Sequence, residues 1–174
     1  MLGAGCYARF SDYAWRPFDY RLTDINTNIY DPSITRRAAV AITRFEDLLA
    51  WQEARTLHKM TREMTASSSF NDDWSLRNQL RRSSNSAMAN IAEGFNRFGT
   101  GEFCQFLSIA KGSCGETQSH LYAALDAKFI TSDVFSQLYD QTQSVMNLVA
   151  RLRSAVRSTN RTSPHRRQSR PSAS

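Results

Sequence analysis

The chain has 174 residues, 41% of them hydrophobic, and a net charge of +6 at neutral pH. This length suits one domain with tails, and the composition is not that of a fully disordered chain. No segment approaches the roughly 18 apolar residues of a membrane span. The N-terminus lacks a basic stretch leading into an apolar run, so we predict no secretory signal, no membrane association and a cytoplasmic protein.

The positive charge is unevenly distributed along the chain. Residues 158–174 contain four arginines and no acidic residue, whereas residues 44–157 contain 13 basic and 12 acidic residues, a net charge of +1. The net charge therefore comes largely from the C-terminal tail. A nearly neutral central region is weak evidence for nucleic-acid binding by that region.

Three cysteines, Cys6, Cys104 and Cys114, do not form the pattern of a disulfide framework. Cys104 and Cys114 fall on one predicted helix, where about 15 Å of rise separates them. A disulfide needs Cα atoms within about 7 Å. We therefore predict reduced, small helix residues.

Residues 1–43 show no sustained helical period and contain Pro17 and Pro32. We predict a weakly ordered N-terminal extension. Two alternatives remain open: an element that docks on the main domain, or upstream sequence translated from a start codon assigned too early.

Four segments carry the apolar spacing of amphipathic helices. The first begins at a predicted capping box of Thr43 and Glu46. The second begins at Asn71–Asp73 and ends near Gly94, which we predict to be a left-handed C-cap. The two apolar stripes are Phe45, Leu48, Leu49, Leu57, Met60 and Met64, then Leu76, Leu80, Ala87 and Ile91.

The third helix is predicted to begin at Thr100 and the fourth at Ser132. Gly112 and Gly115 each disfavour the third helix by about 1 kcal/mol relative to alanine, so we expect a neighbouring helix to approach closely there. After Arg157 no apolar residue is larger than alanine or proline, which predicts a disordered basic tail over 158–174. The apolar stripes are Phe103, Phe106, Leu107, Ala110, Cys114, Thr117, Leu121 and Ala124, then Val134, Leu138, Thr142, Val145, Val149, Leu152 and Val156.

Four such helices with short connections predict an all-α, antiparallel up-down-up-down four-helix bundle over residues 44–157. Seven apolar residues are expected in its core: Leu80, Ala87, Ile91, Phe106, Leu121, Val145 and Leu152. Five further aromatic residues are not required to fill the core of a single bundle, so we predict that they form an interface between copies of the chain. They are Trp51, Trp74, Phe95, Phe98 and Phe135.

A polar stripe on the second helix lies about 60° from its apolar stripe, with possible partners on the third helix. It is either a hydrogen-bonded seam that fixes helix register or a buried polar ligand site, and we favour the seam. Its predicted members are Gln79, Arg82, Ser86, Asn90, Glu93, Glu102 and Glu116.

Catalytic and metal-binding patterns are missing from the sequence. A di-iron bundle requires Glu-x-x-His on two helices, but His120 follows Glu116 by four residues and His58 has no such glutamate. The histidines have no evident nucleophilic partner, and the glycines do not form a phosphate-binding loop. We predict no catalytic residue, no metal and no cofactor.

Basic residues are the candidates for nucleic-acid contact. The loop Phe95–Gly101 places Arg97 beside the N-terminus of the third helix, where free amides favour an anion. This loop is either a phosphate contact or simply a packed connection. The complete candidate set is Arg77, Arg81, Arg97, Lys111, Arg151, Arg153 and Arg157.

Two motifs, RRSSNSAMANIAEG at 81–94 and GEFCQFLSIAKGSCGE at 101–116, resemble the four-helix-bundle family of the 23S ribosomal RNA intervening-sequence protein. The first-helix segment FEDLLAWQEARTL is similar as well, so the resemblance covers about residues 44–157. Ser83 replaces the usual alanine of the family pattern, and Lys111 replaces a frequent arginine.

The resemblance implies a ring-shaped homopentamer. It also implies kinship with the accessory variability determinant of diversity-generating retroelements, which is thought to bind nucleic acid and a reverse transcriptase. We therefore hypothesise a non-enzymatic, oligomeric RNA- or DNA-binding accessory factor. The alternative is a structural or protein-interaction scaffold without nucleic-acid binding.

Overall fold

The computed structural model describes residues 42–97 and 99–161, with side chains described as far as residue 158. Most of the predicted N-terminal extension and most of the predicted tail lie outside these ranges. Within them the chain forms four α-helices joined by short connections. A 3-10 turn at Phe45–Asp47 precedes the first helix, and a second at Ser68–Phe70 lies between the first and second helices. The helices are α1 Leu49–Met64, α2 Trp74–Phe95, α3 Thr100–Asp126 and α4 Ser132–Arg161.

Side-chain hydrogen bonds between successive helices show their relative direction. In each pair of helices, the bonded residue numbers rise on one helix as they fall on the other. The bonds join Arg81 to Thr65, His58 to Ser84, Ser83 to Thr117, Ser86 to Ser113, Cys104 to Arg153 and Gln118 to Gln143. Successive helices are therefore antiparallel, and α1 also packs against α4. The predicted all-α up-down-up-down bundle is confirmed.

The apolar core follows the predicted stripes. Leu80, Ile91 and Leu121 are fully buried, as are most other members of the predicted core. Phe106 is the exception, because it is only partly buried at the junction of α2 and α3. The guanidinium of Arg97 covers its ring, with 5.2 Å between the guanidinium carbon and the ring centroid.

Buried hydroxyl groups form a second part of the core that the apolar spacing largely missed. The Thr61 and Thr142 hydroxyls donate to the carbonyls of Leu57 and Leu138, one turn earlier in the same helix. Such bonds satisfy the hydroxyl donor without requiring water. The complete buried set is Thr61, Thr65, Ser83, Ser84, Ser113, Thr117 and Thr142.

The beginning of α1 differs from the prediction. Thr43 and Glu46 do not form a capping box, because residues 45–47 form a separate 3-10 turn and α1 begins only at Leu49. The Glu46 carboxylate instead accepts a 2.9 Å hydrogen bond from Arg44. The predicted acidic cap of α2 is correct, since Asp73 accepts a 2.8 Å bond from the Leu76 amide.

The glycine predictions are also corrected. Gly94 lies inside α2 and has no positive φ, so it is not a left-handed cap. A Cβ atom at Gly94 would lie 2.6 Å from Phe106 Cβ and 2.9 Å from Phe103 Cδ2. Gly112 and Gly115 have no such neighbour within 4 Å. The close helix approach is therefore at Gly94.

No described helix is both long and apolar enough to cross a membrane.

Candidate nucleic-acid interface

The seven candidate basic residues do not form one surface on a single chain. Lys111, Arg153 and Arg157 lie together in a groove between α3 and α4. Arg77 and Arg81 lie on α2 beside α1, at the opposite side of the bundle. The other two, Arg97 and Arg151, lie apart from both groups, and each has different surroundings.

The groove between α3 and α4 has a volume of about 810 Å³. Its floor is apolar, and its rim carries three cations and three hydroxyl groups. No acidic residue is among its described lining residues. These are Leu107, Ser108, Lys111, Gly112, Met146, Val149, Ala150, Arg153, Ser154, Arg157 and Ser158. A polyanion with a partly apolar surface fits this lining better than a cation does.

Arg153 is held in position across the helix interface. Its Nε donates a 3.3 Å hydrogen bond to the carbonyl of Cys104 on α3, and the Cys104 thiol contacts the Arg153 carbonyl at 3.8 Å. Burial raises the pKa of the Cys104 thiol, while Arg153 and Arg157 oppose that rise. Arg153 as a whole is exposed and lines the groove.

The cations of the groove are not neutralised by the part of the chain that the structure describes. In the described ranges, Lys111, Arg153 and Arg157 form no ion pair with an acidic side chain. The α4 helix ends at Arg161, four residues beyond its predicted end at Arg157. The arginine-rich tail therefore follows the groove residues Arg157 and Ser158 closely in the sequence. Uncompensated cations with a flanking basic segment attract phosphates.

Arg97 differs from the groove cations because its charge is paired with a carboxylate. Its guanidinium forms an ion pair with Glu93 one turn earlier and stacks over Phe106. The hydrogen bond to Glu93 is the main cause that raises the pKa of Arg97. These contacts match a packed interhelix connection, which was one of the two predicted roles of this loop. Phe98 lies outside the described residues.

Arg151 is exposed on α4 but does not line the groove. It precedes Arg153 by two residues, which places it about 160° around the helix axis. It therefore serves as an exposed arginine outside the groove on the same helix.

The predicted polar seam is smaller in the structure than in the sequence analysis. Ser86 bonds to Ser113 at 2.9 Å, and the Asn90 amide donates to the Ser86 hydroxyl at 3.0 Å. Asn90 is half-buried. The remaining five predicted members are exposed: Gln79, Arg82, Glu93, Glu102 and Glu116. The exposed ones make local contacts instead, such as Gln79 with Ser75 and Glu116 with His120.

Small hydroxyl side chains, rather than the longer side chains of the predicted polar stripe, make the hydrogen bonds between α2 and α3. Thr117 donates a 2.9 Å bond to Ser83, and both residues are buried. The helix face that borders the core is thus the one carrying Ser83 and Ser86, and the longer charged side chains reach solvent. This explains why the predicted seam was wrong in extent.

Groups of three or more His, Cys, Asp or Glu residues that could hold a metal ion are not found in the described ranges. His58 contacts the Ser84 hydroxyl at 3.0 Å, and His120 lies 3.6 Å from Glu116.

Comparison with known proteins identifies the family. No curated protein matches the chain significantly. A crystal structure of a protein of unknown function from Bacteroides thetaiotaomicron, assigned to the S23 ribosomal protein family, superposes with a TM-score of 0.56. It is 17% identical and covers 60% of this chain and 97% of its own, which shows a shared fold. The family model described as 23S rRNA-intervening sequence protein matches residues 46–151. The chain therefore belongs to the 23S rRNA-intervening sequence protein family.

Proposed function

We propose that this protein is a non-enzymatic accessory factor of the cytoplasm that binds RNA or DNA through the α3–α4 groove. The observation that carries the proposal is the set of three cations, Lys111, Arg153 and Arg157, which form no ion pair with a described residue and surround an apolar floor. Cations bind phosphates of any sequence, and an apolar floor suits bases or sugars of a single strand.

The four arginines in residues 158–174 extend this site along the chain. These arginines follow Arg157 and Ser158 of the groove lining in the sequence, so the chain carries further cations directly after the groove. We propose that groove and tail act together. Binding then depends steeply on salt because each neutralised phosphate releases counterions.

The test is an anisotropy titration of labelled single-stranded RNA, single-stranded DNA and duplex DNA at about 50 mM salt. The groove variant carries Lys111→Gln, Arg153→Gln and Arg157→Gln. Its matched control carries Lys59→Gln, Lys128→Gln and Arg151→Gln, which removes equal charge from exposed sites outside the groove. We expect the groove variant to bind at least tenfold more weakly than the control. Equal affinities of the two variants would refute the groove as the site.

A tail variant, Arg166→Gln with Arg167→Gln and Arg170→Gln, separates the two contributions. If groove and tail act together, this variant and the groove variant each retain part of the affinity. Complete loss of binding in the tail variant, with no loss in the groove variant, would assign the activity to the tail alone and contradict the proposal.

An aromatic cluster favours the second candidate function, a protein-interaction scaffold. Tyr122 on α3 contacts Phe135 and Tyr139 on α4, with ring centroids 4.8 and 5.9 Å away, and Tyr122 is 50% exposed. Asp126 lies one helical turn after Tyr122, and Asp140 directly follows Tyr139. Their negative charges make this end of the α3–α4 face unfavourable for phosphate. Exposed aromatics of this kind are enriched at protein interfaces.

We propose that this cluster joins copies of the chain into a homo-oligomer. Light scattering on the wild type and on Tyr122→Ser tests it, with Ile109→Ser as a control for loss of an exposed apolar residue elsewhere on α3. We expect Tyr122→Ser to reduce the molar mass and Ile109→Ser to leave it unchanged. A wild type of one chain mass at micromolar concentration would refute the proposal.

A further inference from the structure

A second basic cluster lies on the α1–α2 face, across the bundle from the groove. It contains Arg62 on α1 and Arg77 and Arg81 on α2, with His58 beside them. Residues 58 and 62 are one turn apart on α1, and residues 77 and 81 are one turn apart on α2. Because these helices are antiparallel neighbours, the two pairs line the same interhelix surface.

Arg81 forms the base of this cluster. Its Nε donates a 2.8 Å hydrogen bond to the Thr65 hydroxyl, and its terminal nitrogen donates a 3.1 Å bond to the Thr65 carbonyl. Arg81 therefore caps the last turn of α1 and has a structural role. The same two bonds fix the position of its guanidinium at the surface.

Arg62 and Arg77 have no comparable structural role. Neither side chain makes a hydrogen bond or an ion pair with the described part of the chain. The Nε of Arg77 is shielded from solvent and still lacks an acceptor among the described residues. A shielded donor without a partner is uncommon in folded proteins, and a bound water or ion is one way in which such a donor is satisfied.

The three guanidinium groups also repel one another. Burial lowers the pKa of Arg81, and the charges of Arg62 and Arg77 lower it further. The same surroundings act on His58, whose pKa is lowered by burial and then by Arg62 and Arg81. The causes of these two shifts place the cations close together, and no carboxylate of the described residues is among those causes.

Trp74 adds an aromatic surface to this cluster. It is 65% exposed and precedes Arg77 by three residues and Arg81 by seven, so all three share one face of α2. An exposed indole beside arginines provides a stacking surface for a base next to donors for a phosphate.

We infer that Arg62, Arg77 and Arg81 form a phosphate-binding site, and that the phosphate belongs to a nucleotide of a nucleic acid whose base stacks on Trp74. Free phosphate is the other source of the same chemistry. The nucleic-acid part of this inference rests on the proposed function, whereas the phosphate site itself does not. The site faces away from the α3–α4 groove, so one chain would contact two separate segments of nucleic acid.

The first experiment measures thermal unfolding in inorganic phosphate and in chloride at equal ionic strength. The site variant carries Arg62→Gln and Arg77→Gln, and the control carries Lys128→Gln and Arg151→Gln. Phosphate stabilises proteins generally by exclusion from their surface, and the control reports this general effect. We expect phosphate to raise the unfolding midpoint of the site variant less than that of the control. Arg62→Gln alone, at an exposed position, gives the same comparison if the double variant does not fold.

The second experiment distinguishes the source of the phosphate, using a short single-stranded RNA and the variants Trp74→Ala and Arg62→Gln/Arg77→Gln. Loss of one stacked base weakens RNA binding about fivefold or more, whereas Trp74→Ala should not change the inorganic-phosphate effect. If the site variant responds to phosphate as the control does, the site is refuted. If phosphate acts at the site but neither variant weakens RNA binding, its nucleic-acid assignment is refuted. If RNA binds to no protein tested, the proposed function fails, and the phosphate experiment still decides the site.

Discussion

Replacing Gly94 with alanine adds one methyl group where α2 and α3 nearly touch. The new Cβ would lie 2.6 Å from Phe106 Cβ, which is attached to the α3 backbone and cannot rotate away. It would also lie 2.9 Å from Phe103 Cδ2, in a ring that is almost fully buried. Relief therefore requires the helices to separate, because rotation of the rings does not move Phe106 Cβ.

The expected magnitude is a balance of two effects. Overpacking of a close-packed site typically destabilises by about 1–3 kcal/mol. Alanine is better than glycine inside a helix by about 1 kcal/mol. Because the contact involves a Cβ atom close to the backbone, we expect the upper part of the first range and a net loss of about 1–2 kcal/mol.

Urea denaturation of the wild type and three glycine variants measures this balance. Gly112→Ala and Gly115→Ala are matched controls, since a Cβ at either position meets no such neighbour within 4 Å. Both should gain up to about 1 kcal/mol from helix propensity alone. A Gly94→Ala protein as stable as these controls would show that α2 and α3 are not in close contact at Gly94.

Three further predictions concern a core leucine, the titration of His58 and the thiol of Cys114. Leu80→Ala should lower the unfolding free energy by about 2–5 kcal/mol in urea denaturation, because Leu80 is fully buried; a smaller loss would contradict its place in the core. The pKa of His58 is lowered, mainly by burial, so the unfolded chain binds the extra proton as pH falls through about 6.5. Stability should therefore fall more steeply from about pH 7.5 to about pH 5 in the wild type than in His58→Gln, and equal slopes would refute this. Burial raises the pKa of Cys114 to about 12, so peptide mapping after iodoacetamide treatment should show Cys114 protected until the chain unfolds, whereas early labelling would indicate local opening.

The apolar stripes could be predicted because large apolar residues at helical spacing have one consistent place, the interior. Leu80, Ile91 and Leu121 needed no information about their neighbours. Phe106 departed from its stripe because its ring lies at the edge of the α2–α3 contact, under Arg97. The position of the Phe106 ring depends on where α2 ends, at Phe95. The spacing of apolar residues alone does not define that end.

Apart from Thr117 and Thr142, which fell on the predicted stripes, the buried hydroxyl groups could not be predicted in the same way. Serine is as common at a surface as in a tight helix contact, and the difference lies in its partner. Ser83 is buried because Thr117 on another helix donates to it. The same holds for Gly94, whose role depends on two phenylalanine rings of α3.

Basic residues show the limit of sequence analysis for the candidate site. Their identity predicted an affinity for phosphate, but their grouping depended on the packing of separate helices. Lys111 and Arg153 meet because α3 and α4 are neighbours. Arg62 was missed because it is an exposed residue of α1, and its grouping with Arg77 and Arg81 depends on how α1 packs against α2.

The salt dependence of RNA binding by the groove variant tests the central claim most directly. The logarithm of the binding constant is measured against the logarithm of salt concentration for the wild type, the groove variant and its charge-matched control. Loss of three phosphate contacts should reduce the magnitude of the slope by about 2–3 relative to the wild type. The control should keep the wild-type slope. A groove variant with the slope of the control would contradict binding of nucleic acid at Lys111, Arg153 and Arg157.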